Sequence, residues 1–260
     1  MNTRLPAILV SILVVSLFMF VAISSVGKKG LGKAASGVVA EAISTTTPNK
    51  SAPIRIFCFG DSLTAGTSPP GFETFPYAPF LEDALHQGKL PTAVVRHLGL
   101  PGWTASQLLE DANGERGLRT MIKRIQDPSL SLVIILAGTN DLGHHRSPSD
   151  IVTDLIQLHT LCHKEGIAHT IALAVPSSAF QTKFPEYAEK ARKINRGLRK
   201  YCEEESNEKA TYVSFPFGWE PNDERWSRDG LHFSKQGYQV LAESLAPVVE
   251  SILVADDLNR

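Results

Sequence analysis

Residues 131–141 read SLVIILAGTND, and this stretch indicates the fold class of the chain. Its first seven residues form an almost unbroken apolar run of strand length, and its last four form a polar loop. A strand that is apolar on both faces is typical of a parallel sheet with helices on both sides. Such sheets carry their functional groups in loops at the carboxyl ends of the strands, so we expect residues 138–141 to lie at a functional site.

Four further apolar runs of similar length alternate with amphipathic stretches. The predicted strands are Ile54–Phe59, Ala93–Leu98, Leu130–Ala137, Ala168–Val175 and Ala210–Phe215. The predicted helices are Pro76–His86, Ala105–Ile125, Pro148–Lys164, Pro185–Glu204 and Lys235–Val254. This strict alternation of strand and helix predicts an α/β fold with a central parallel sheet of about five strands.

The composition is that of an ordinary globular protein, with 43% apolar and 20% charged residues among 260. Lys and Arg number 26 against 27 Asp and Glu, which gives a formal charge of −1. Because no block of like charge is present, we expect no nucleic acid partner, and a small neutral or weakly charged substrate fits better. The three cysteines match neither a disulfide framework nor a zinc signature. Cys58 is expected to be buried in a strand, and the spacing leaves open whether Cys162 and Cys202 pair.

The N-terminus differs from the rest of the chain, because residues 7–26 (AILVSILVVSLFMFVAISSV) carry no charge. A run of about 20 apolar residues has the length needed to span a bilayer as a helix. Residues 1–26 are therefore predicted to be an N-terminal transmembrane anchor. The alternative is a secretory signal peptide, since Arg4 precedes the run and residues 22–24 resemble a cleavage site. We favour the anchor because the run exceeds the usual signal core of ~7 to 15 residues.

Residues 27–52 are rich in Gly, Ala, Ser, Thr and Lys and contain no aromatic residue, which predicts a flexible linker. Positive charges flank the apolar run on both sides, so the positive-inside rule gives no clear orientation. The glycosylation sequon Asn49-Lys50-Ser51 favours a lumenal or extracellular position for the domain that follows. We therefore expect a single-pass membrane protein, with secretion after signal cleavage as the alternative.

Four short blocks follow predicted strands or precede the last predicted helix. They are Gly60-Asp61-Ser62-Leu63, Gly99-Leu100-Pro101-Gly102, Gly138-Thr139-Asn140-Asp141 and Asp229-Gly230-Leu231-His232. In these blocks and their order the chain resembles the SGNH hydrolase superfamily of GDSL-type esterases and lipases, over about residues 54–254. The resemblance implies a three-layer flavodoxin-like sandwich, ester-hydrolysing activity, and no metal or organic cofactor. Residues 53–260 are accordingly predicted to form an SGNH hydrolase domain.

Acyl transfer needs an activated hydroxyl, a base with a pKa near neutral and a group that orients the base. Ser62 is the predicted nucleophile, because a strand-to-helix turn lets its hydroxyl project past the sheet edge. His232 is the predicted base, since an unperturbed imidazole has a pKa of ~6.5, and Asp229 is its predicted orienting carboxylate. Simpler interpretations are a helix N-cap for Ser62, a turn cap for Asp229 and a solvent-facing loop residue for His232. The resemblance favours the catalytic interpretation.

The backbone N–H groups of Ser62 and Gly102 and the side-chain amide of Asn140 are predicted to form an oxyanion hole, as the resemblance implies. Gly99 is a rival for the glycine position, and a purely conformational role in the loops is the simpler interpretation. Asp141 is expected to be a structural hydrogen-bond acceptor that holds its loop.

The other histidines have simpler expected roles. His144 and His145 follow Asn140 closely, yet no third metal ligand has a suitable spacing, so we expect them at a pocket rim or in solvent. The remaining histidines, including His86, His97 and His163, are predicted to lie on the surface.

Substrate selection is expected from three loops, residues 67–79, 143–148 and 215–226. Their aromatic residues either line an acyl or alcohol pocket or belong to the core beneath long loops. They are Phe72, Phe75, Tyr77, Phe217, Trp219 and Trp226.

The segment after Ser62 resembles small-ester esterases of the superfamily, which favours small acyl or O-acetyl esters. A lysophospholipase or thioesterase and an anchored O-acyltransferase are alternatives. A non-catalytic binding protein is less favoured, because Ser62, Asp229 and His232 are all present. No obligate protein partner is implied.

Overall fold

The computed structural model describes residues 53–125, 130–206 and 208–258. The predicted transmembrane anchor (1–26) and linker (27–52) lie outside the described residues. Within the described ranges, no helix combines the length and apolar character needed to cross a bilayer.

In this part of the chain a five-stranded parallel sheet forms the centre, in the order β2-β1-β3-β4-β5. The strands are β1 (Arg55–Gly60), β2 (Val94–Gly99), β3 (Leu132–Leu136), β4 (His169–Leu173) and β5 (Ala210–Val213). Each predicted strand is present, with its ends within two residues of the predicted ones. The strand order is flavodoxin-like, and the order reverses at β1 and β3, where such folds bind their ligands. The predicted parallel α/β sheet is confirmed.

Helices occupy most of the connections between the strands. They are α1 (Ser62–Ala65), α2 (Tyr77–Gln87), α3 (Ala105–Glu110), α4 (Leu118–Ile125), α5 (Pro148–Lys164), α6 (Ala179–Lys183), α7 (Pro185–Lys200) and α8 (Lys235–Leu258). A 3₁₀ helix spans Asn140–Gly143, and a π-helical turn over Tyr201–Glu205 continues α7.

The prediction of one helix over Ala105–Ile125 is wrong, because a turn separates α3 from α4. In this turn Gly114 N–H donates to the Asp111 carbonyl at 2.8 Å, and Gly117 N–H donates to the Gly114 carbonyl at 3.0 Å. A Cβ on Gly117 would lie 2.0 Å from the Asp111 carbonyl oxygen, so the chain can fold back this tightly only with glycine there.

The sheet separates two apolar clusters, which explains the continuous apolar strands. In β1, Ile56 and Cys58 face the cluster beneath α2 and α8, whereas Phe57 and Phe59 face the cluster beneath α3, α4, α5 and α7. All four side chains are fully buried. Burial of a large apolar side chain contributes about 1.5–3 kcal/mol, so both faces of the sheet stabilise the fold.

All three cysteines lie in the described part of the chain and are free, buried thiols. Burial raises the thiol pKa of Cys58 and of Cys202 to about 12. The expectation that Cys58 is buried in a strand is confirmed, and Cys162 and Cys202 are not paired.

Candidate active site

Ser62 is held at the carboxyl edge of the sheet by the tight turn between β1 and α1. Asp61 is the N-cap of α1, and its Oδ1 accepts the Leu63 N–H at 2.9 Å. A Cβ on Gly60 would lie 1.9 Å from the Leu136 carbonyl oxygen, so this approach of β1 to β3 requires glycine. Ser62 is thus the first residue of α1, and the alternative interpretation of Ser62 as the N-cap is wrong.

His232 connects Ser62 to Asp229 through both nitrogens of its ring. Its Nε2 lies 2.9 Å from the Ser62 Oγ, and its Nδ1 lies 2.6 Å from the Asp229 Oδ2. A carboxylate only accepts, so the proton belongs on Nδ1, and Nε2 is left to accept the Ser62 hydroxyl proton. The His232 side chain is 13% exposed, which does not fit the simpler interpretation of a solvent-facing loop residue.

Asp229 is oriented by its own turn. Its Oδ1 accepts the backbone N–H groups of Leu231 and His232, both at 3.0 Å, so Asp229 caps this turn as well as contacting the imidazole. Burial opposes ionisation of this carboxyl, but the hydrogen bonds from the His232 ring and from the two backbone groups outweigh it and lower the pKa of Asp229. The carboxylate is therefore ionised at neutral pH.

The turn that carries His232 rests on an aromatic cluster. Phe233 is fully buried, and its ring centroid lies 4.8 to 5.3 Å from those of four neighbouring rings. Those rings belong to Phe215, Phe217, Trp226 and Tyr238. The packing fixes the backbone next to the imidazole.

The six aromatic residues of the predicted substrate loops divide into three groups by burial. Tyr77, Phe217 and Trp226 are buried core residues, which is the second of the two interpretations. Phe75 and Trp219 are partly buried against the same cluster, and Phe72 is fully exposed.

A hydrogen bond joins the asparagine block to the residue after the glycine block, at the carboxyl edge of the sheet. The Asn140 amide donates one N–H to the Trp103 carbonyl at 2.9 Å, which leaves its second N–H for another acceptor. Gly102 has a φ of +82°, and a Cβ there would meet nothing within 4 Å. In the described ranges the backbone N–H groups of Ser62 and Gly102 donate to no protein acceptor. Unpaired donors of this kind suit a developing negative charge.

Gly99, the rival glycine, has a different function in the packing. It ends β2, and a Cβ on it would lie 2.1 Å from the Ala65 N and 2.4 Å from the Asp61 carbonyl oxygen. Gly99 therefore allows α1 to approach β2 closely, whereas Gly102 lies in an open turn.

Asp141 links the loop of the asparagine block to the first residue of α3. It is fully buried, its Oδ2 accepts the Ala105 N–H at 2.9 Å, and its Oδ1 lies 3.8 Å from the Arg146 Nη1. Burial raises the pKa of Asp141, although the Ala105 hydrogen bond acts in the opposite direction. Asp141 is thus the structural acceptor that the sequence predicts. No sequence pattern indicates the Trp103 carbonyl as the partner of Asn140 or the Ala105 N–H as the partner of Asp141, because backbone groups have no residue signature.

The other histidines lie away from this arrangement. His144 and His145 are exposed, as are His86 and His97. His159 does not fit the predicted surface position: it is 1% exposed, and its Nδ1 lies 2.9 Å from the Thr170 Oγ1. Its position on α5 faces β4, and burial lowers its pKa to about 3, which keeps the ring neutral. Across the described residues, no group of three or more His, Cys, Asp or Glu side chains is arranged to hold a metal ion.

Comparison with known proteins identifies the family. The model of the GDSL-like lipase/acylhydrolase family matches residues 58–240. Among solved structures, a lipase/acylhydrolase from Enterococcus faecalis is 22% identical with a TM-score of 0.55, over 76% of this chain and 96% of that one. A carbohydrate acetylesterase family member from Sinorhizobium meliloti is 19% identical with a TM-score of 0.58, over 77% of this chain and 99% of that one. None of the curated proteins compared with the chain matches it.

At these identities the solved structures show a shared fold, and the family model covers well over half of the sequence. All four blocks that form the site lie within the matched residues 58–240. The chain is therefore an ester-hydrolysing enzyme that belongs to the GDSL-like lipase/acylhydrolase family.

Proposed function

We propose that this chain is a serine esterase that cleaves small carboxylic esters through an acyl-enzyme intermediate on Ser62. The observation that carries the proposal is the unbroken line of contacts from the Ser62 Oγ through the imidazole of His232 to the Asp229 carboxylate, at 2.9 and 2.6 Å. This is the arrangement that an activated serine needs.

In the first half-reaction the Ser62 Oγ attacks the ester carbonyl carbon while its proton passes to the His232 Nε2. The carbonyl oxygen takes up the negative charge and accepts hydrogen bonds from the Ser62 and Gly102 N–H groups and from the Asn140 amide. The ester C–O bond then breaks, and the imidazolium gives its proton to the leaving alcohol oxygen.

In the second half-reaction water attacks the acyl-enzyme and gives its proton to the His232 Nε2. The Ser62–acyl bond breaks, the carboxylic acid leaves, and the proton returns to the Ser62 Oγ. The negative charge of Asp229 stabilises the imidazolium in both halves.

Two observations support small acyl groups, O-acetyl groups among them. Three of the six aromatic side chains near the site, those of Tyr77, Phe217 and Trp226, are buried in the core, so they do not line a long acyl groove. The solved structure from Sinorhizobium meliloti is described as a carbohydrate acetylesterase family member.

The test of the chemistry is active-site labelling of the purified full chain with a fluorophosphonate. We expect one adduct, located by peptide mass spectrometry at Ser62, and none in Ser62→Ala. A correctly folded wild-type chain that stays unlabelled would refute the proposal. A series of p-nitrophenyl esters then sets the acyl length, and an optimum at long chains would favour a lysophospholipase or thioesterase instead.

A second test separates hydrolysis from acyl transfer. The full chain is given p-nitrophenyl acetate with an added alcohol acceptor, and free acetate and the new ester are both quantified. We expect acetate to account for the released p-nitrophenol. A new ester as the main product would instead identify an acyltransferase with the same three residues.

We further propose that residues 1–26 anchor the enzyme in a membrane, with the catalytic domain on the lumenal or extracellular side. The proposal is supported by the uncharged run over residues 7–26 and by the sequon at Asn49. A glycosidase-sensitive mass shift that disappears in Asn49→Gln is the expected result. Digestion of the domain by protease added to the cytosolic side of sealed membranes, together with no mass shift, would contradict it.

A further inference from the structure

The 3₁₀ helix that carries Asn140 has long backbone hydrogen bonds at both of its ends. The Leu142 N–H donates to the Thr139 carbonyl at 3.3 Å, and the His144 N–H donates to the Asp141 carbonyl at 3.2 Å. Both distances are at the long end of the range for N–H to oxygen bonds, and 3₁₀ helices have poor hydrogen-bond geometry in general. The carbonyl groups at the end of so short a helix need partners from outside it.

Lys190 of α7 supplies those partners. Its Nζ lies 2.7 Å from the Asp141 carbonyl oxygen, 2.6 Å from that of His144 and 3.4 Å from that of Leu142. An ammonium group has three donors and no acceptor, so one side chain can bind three carbonyl groups that point toward a common centre. The 3₁₀ helix and the residue after it, His144, are thus held by a side chain of α7. Lys190 lies 49 positions after Asp141 in the sequence.

This arrangement differs from that of other cations on α7. Lys193 and Arg192 pair with Glu189 on the surface, and their side chains are 54% and 65% exposed. Lys190 is half-buried and contacts backbone carbonyl groups of another element instead. Burial lowers the pKa of Lys190, while the nearby Asp141 acts in the opposite direction. A half-buried ammonium group that is hydrogen-bonded to three carbonyl groups costs little, whereas its loss leaves those carbonyl groups with fewer partners.

We propose that Lys190 is a positioning residue of the reaction: it holds the 3₁₀ helix so that the Asn140 amide meets the oxyanion. The inference rests on the esterase function proposed above. Asn140 is connected to the glycine block on one side by its bond to the Trp103 carbonyl. Lys190 fixes the other end of the same helix, and the two contacts together determine where the amide points.

The proposal predicts an effect on turnover rather than on substrate binding. An oxyanion donor acts on the charge that develops in the transition state, so its displacement lowers kcat and leaves KM nearly unchanged. Loss of one such donor costs ~10²- to 10³-fold in kcat. Because Lys190→Met loosens the segment without removing the amide, we expect a smaller decrease, roughly 10- to 100-fold, with KM within about 2-fold of wild type.

The experiment compares four variants of the full chain: Lys190→Met, Lys190→Arg, Asn140→Ala and the double variant Lys190→Met/Asn140→Ala. If Lys190 acts through Asn140, Lys190→Met should change kcat by less than about 2-fold once the amide is gone, because coupled residues are not additive. Lys190→Arg keeps the cation and should restore part of the rate. Lys193→Met is the matched control on the same helix and should behave like wild type. An unchanged kcat in Lys190→Met, or an undiminished effect in the Asn140→Ala background, would overturn the proposal.

Amide hydrogen exchange supplies a readout that does not depend on esterase activity. Peptides that cover residues 139–146 should exchange faster in Lys190→Met than in wild type, while those from β1 should be unchanged. If the wild-type chain hydrolyses no ester, the proposed function fails, and this comparison alone decides whether Lys190 holds the segment. Equal exchange in the two proteins would show that it does not.

Discussion

Replacement of Asp229 by Asn changes one oxygen to an NH₂ group and keeps the size of the side chain. Because the Asp229 Oδ1 accepts two backbone N–H groups at 3.0 Å, the amide oxygen of Asn must stay on that side. The new NH₂ group then faces the Nδ1 of His232, 2.6 Å from the present carboxylate oxygen. An NH₂ group donates only, so it selects the tautomer with its proton on Nε2, which cannot accept the Ser62 proton.

The size of the effect follows from what is lost. A hydrogen bond to a charged group contributes about 1.5–3 kcal/mol, which alone corresponds to a ~10- to 150-fold decrease in rate. The unfavourable tautomer and the missing negative charge beside the imidazolium add to this. In serine proteases the same substitution lowers kcat by ~10⁴-fold, or about 5 kcal/mol. We expect a decrease of at least ~10³-fold in kcat for Asp229→Asn, with an unchanged fold.

The assay is steady-state hydrolysis of p-nitrophenyl acetate, with circular dichroism and thermal melting to verify the fold. Asp223→Asn is the matched control, because Asp223 pairs with Arg225 in the same loop and should leave kcat unchanged. A correctly folded Asp229→Asn enzyme that retains more than about a tenth of the wild-type kcat would refute the argument that Asp229 selects the tautomer.

Three further predictions concern stability and reactivity. Burial raises the pKa of the Asp61 carboxyl from 3.8 to about 7, so the folded state binds the carboxyl proton more tightly than the unfolded chain does. The stabilisation that this proton contributes is complete below pH ~4 and is lost as the pH rises to ~7. The free energy of unfolding of the wild type should therefore fall by up to ~1.4 kcal/mol per pH unit in this window, whereas that of Asp61→Asn should lack this fall. Thermal melting of both proteins measures the difference, and parallel curves would contradict the prediction. Phe233→Ala should lower the free energy of unfolding in urea by about 3–5 kcal/mol, since it empties the centre of four packed rings; a loss below ~1 kcal/mol would mean that the cluster can collapse. No thiol should react with Ellman's reagent at pH 8 in the native protein and three should react in denaturant, because all cysteines are buried with raised pKa values; prompt native labelling would contradict the burial of Cys58, Cys162 and Cys202.

The strands were the most predictable part of this fold, because a strand that is buried on both faces is a continuous run of apolar residues in the sequence. β3 (Leu132–Leu136) is apolar at every position, since alternate side chains enter different clusters. The turn between α3 and α4 is less evident from the sequence pattern. Leu108, Leu118 and Ile122 are spaced as on one helix face, so their periodicity continues across the turn. Only Gly114 and Gly117 signal the interruption.

In the candidate site, too, residues that belong to short sequence blocks could be predicted, whereas contacts between distant parts of the chain could not. Ser62, Asp229 and His232 belong to short blocks that can be read from the sequence, and the structure brings them into contact, although their catalytic roles stay predictions. Contacts made by backbone groups leave no such pattern. The bond from Asn140 to the Trp103 carbonyl spans 37 residues, and the bonds from Lys190 join a helix to carbonyl groups that any residue could provide.

The separation of Ser62 from His232 by 170 positions has a consequence for biosynthesis. At a translation rate of ~5–20 residues per second, the ribosome adds His232 roughly 10 to 35 s after Ser62. During that interval the hydroxyl has no imidazole to take its proton, and the last helix, α8, which packs against α2, has not yet been made. A nascent chain or a product truncated before His232 therefore cannot hydrolyse an ester by this route. On the proposed mechanism, activity therefore requires synthesis of the chain at least as far as His232.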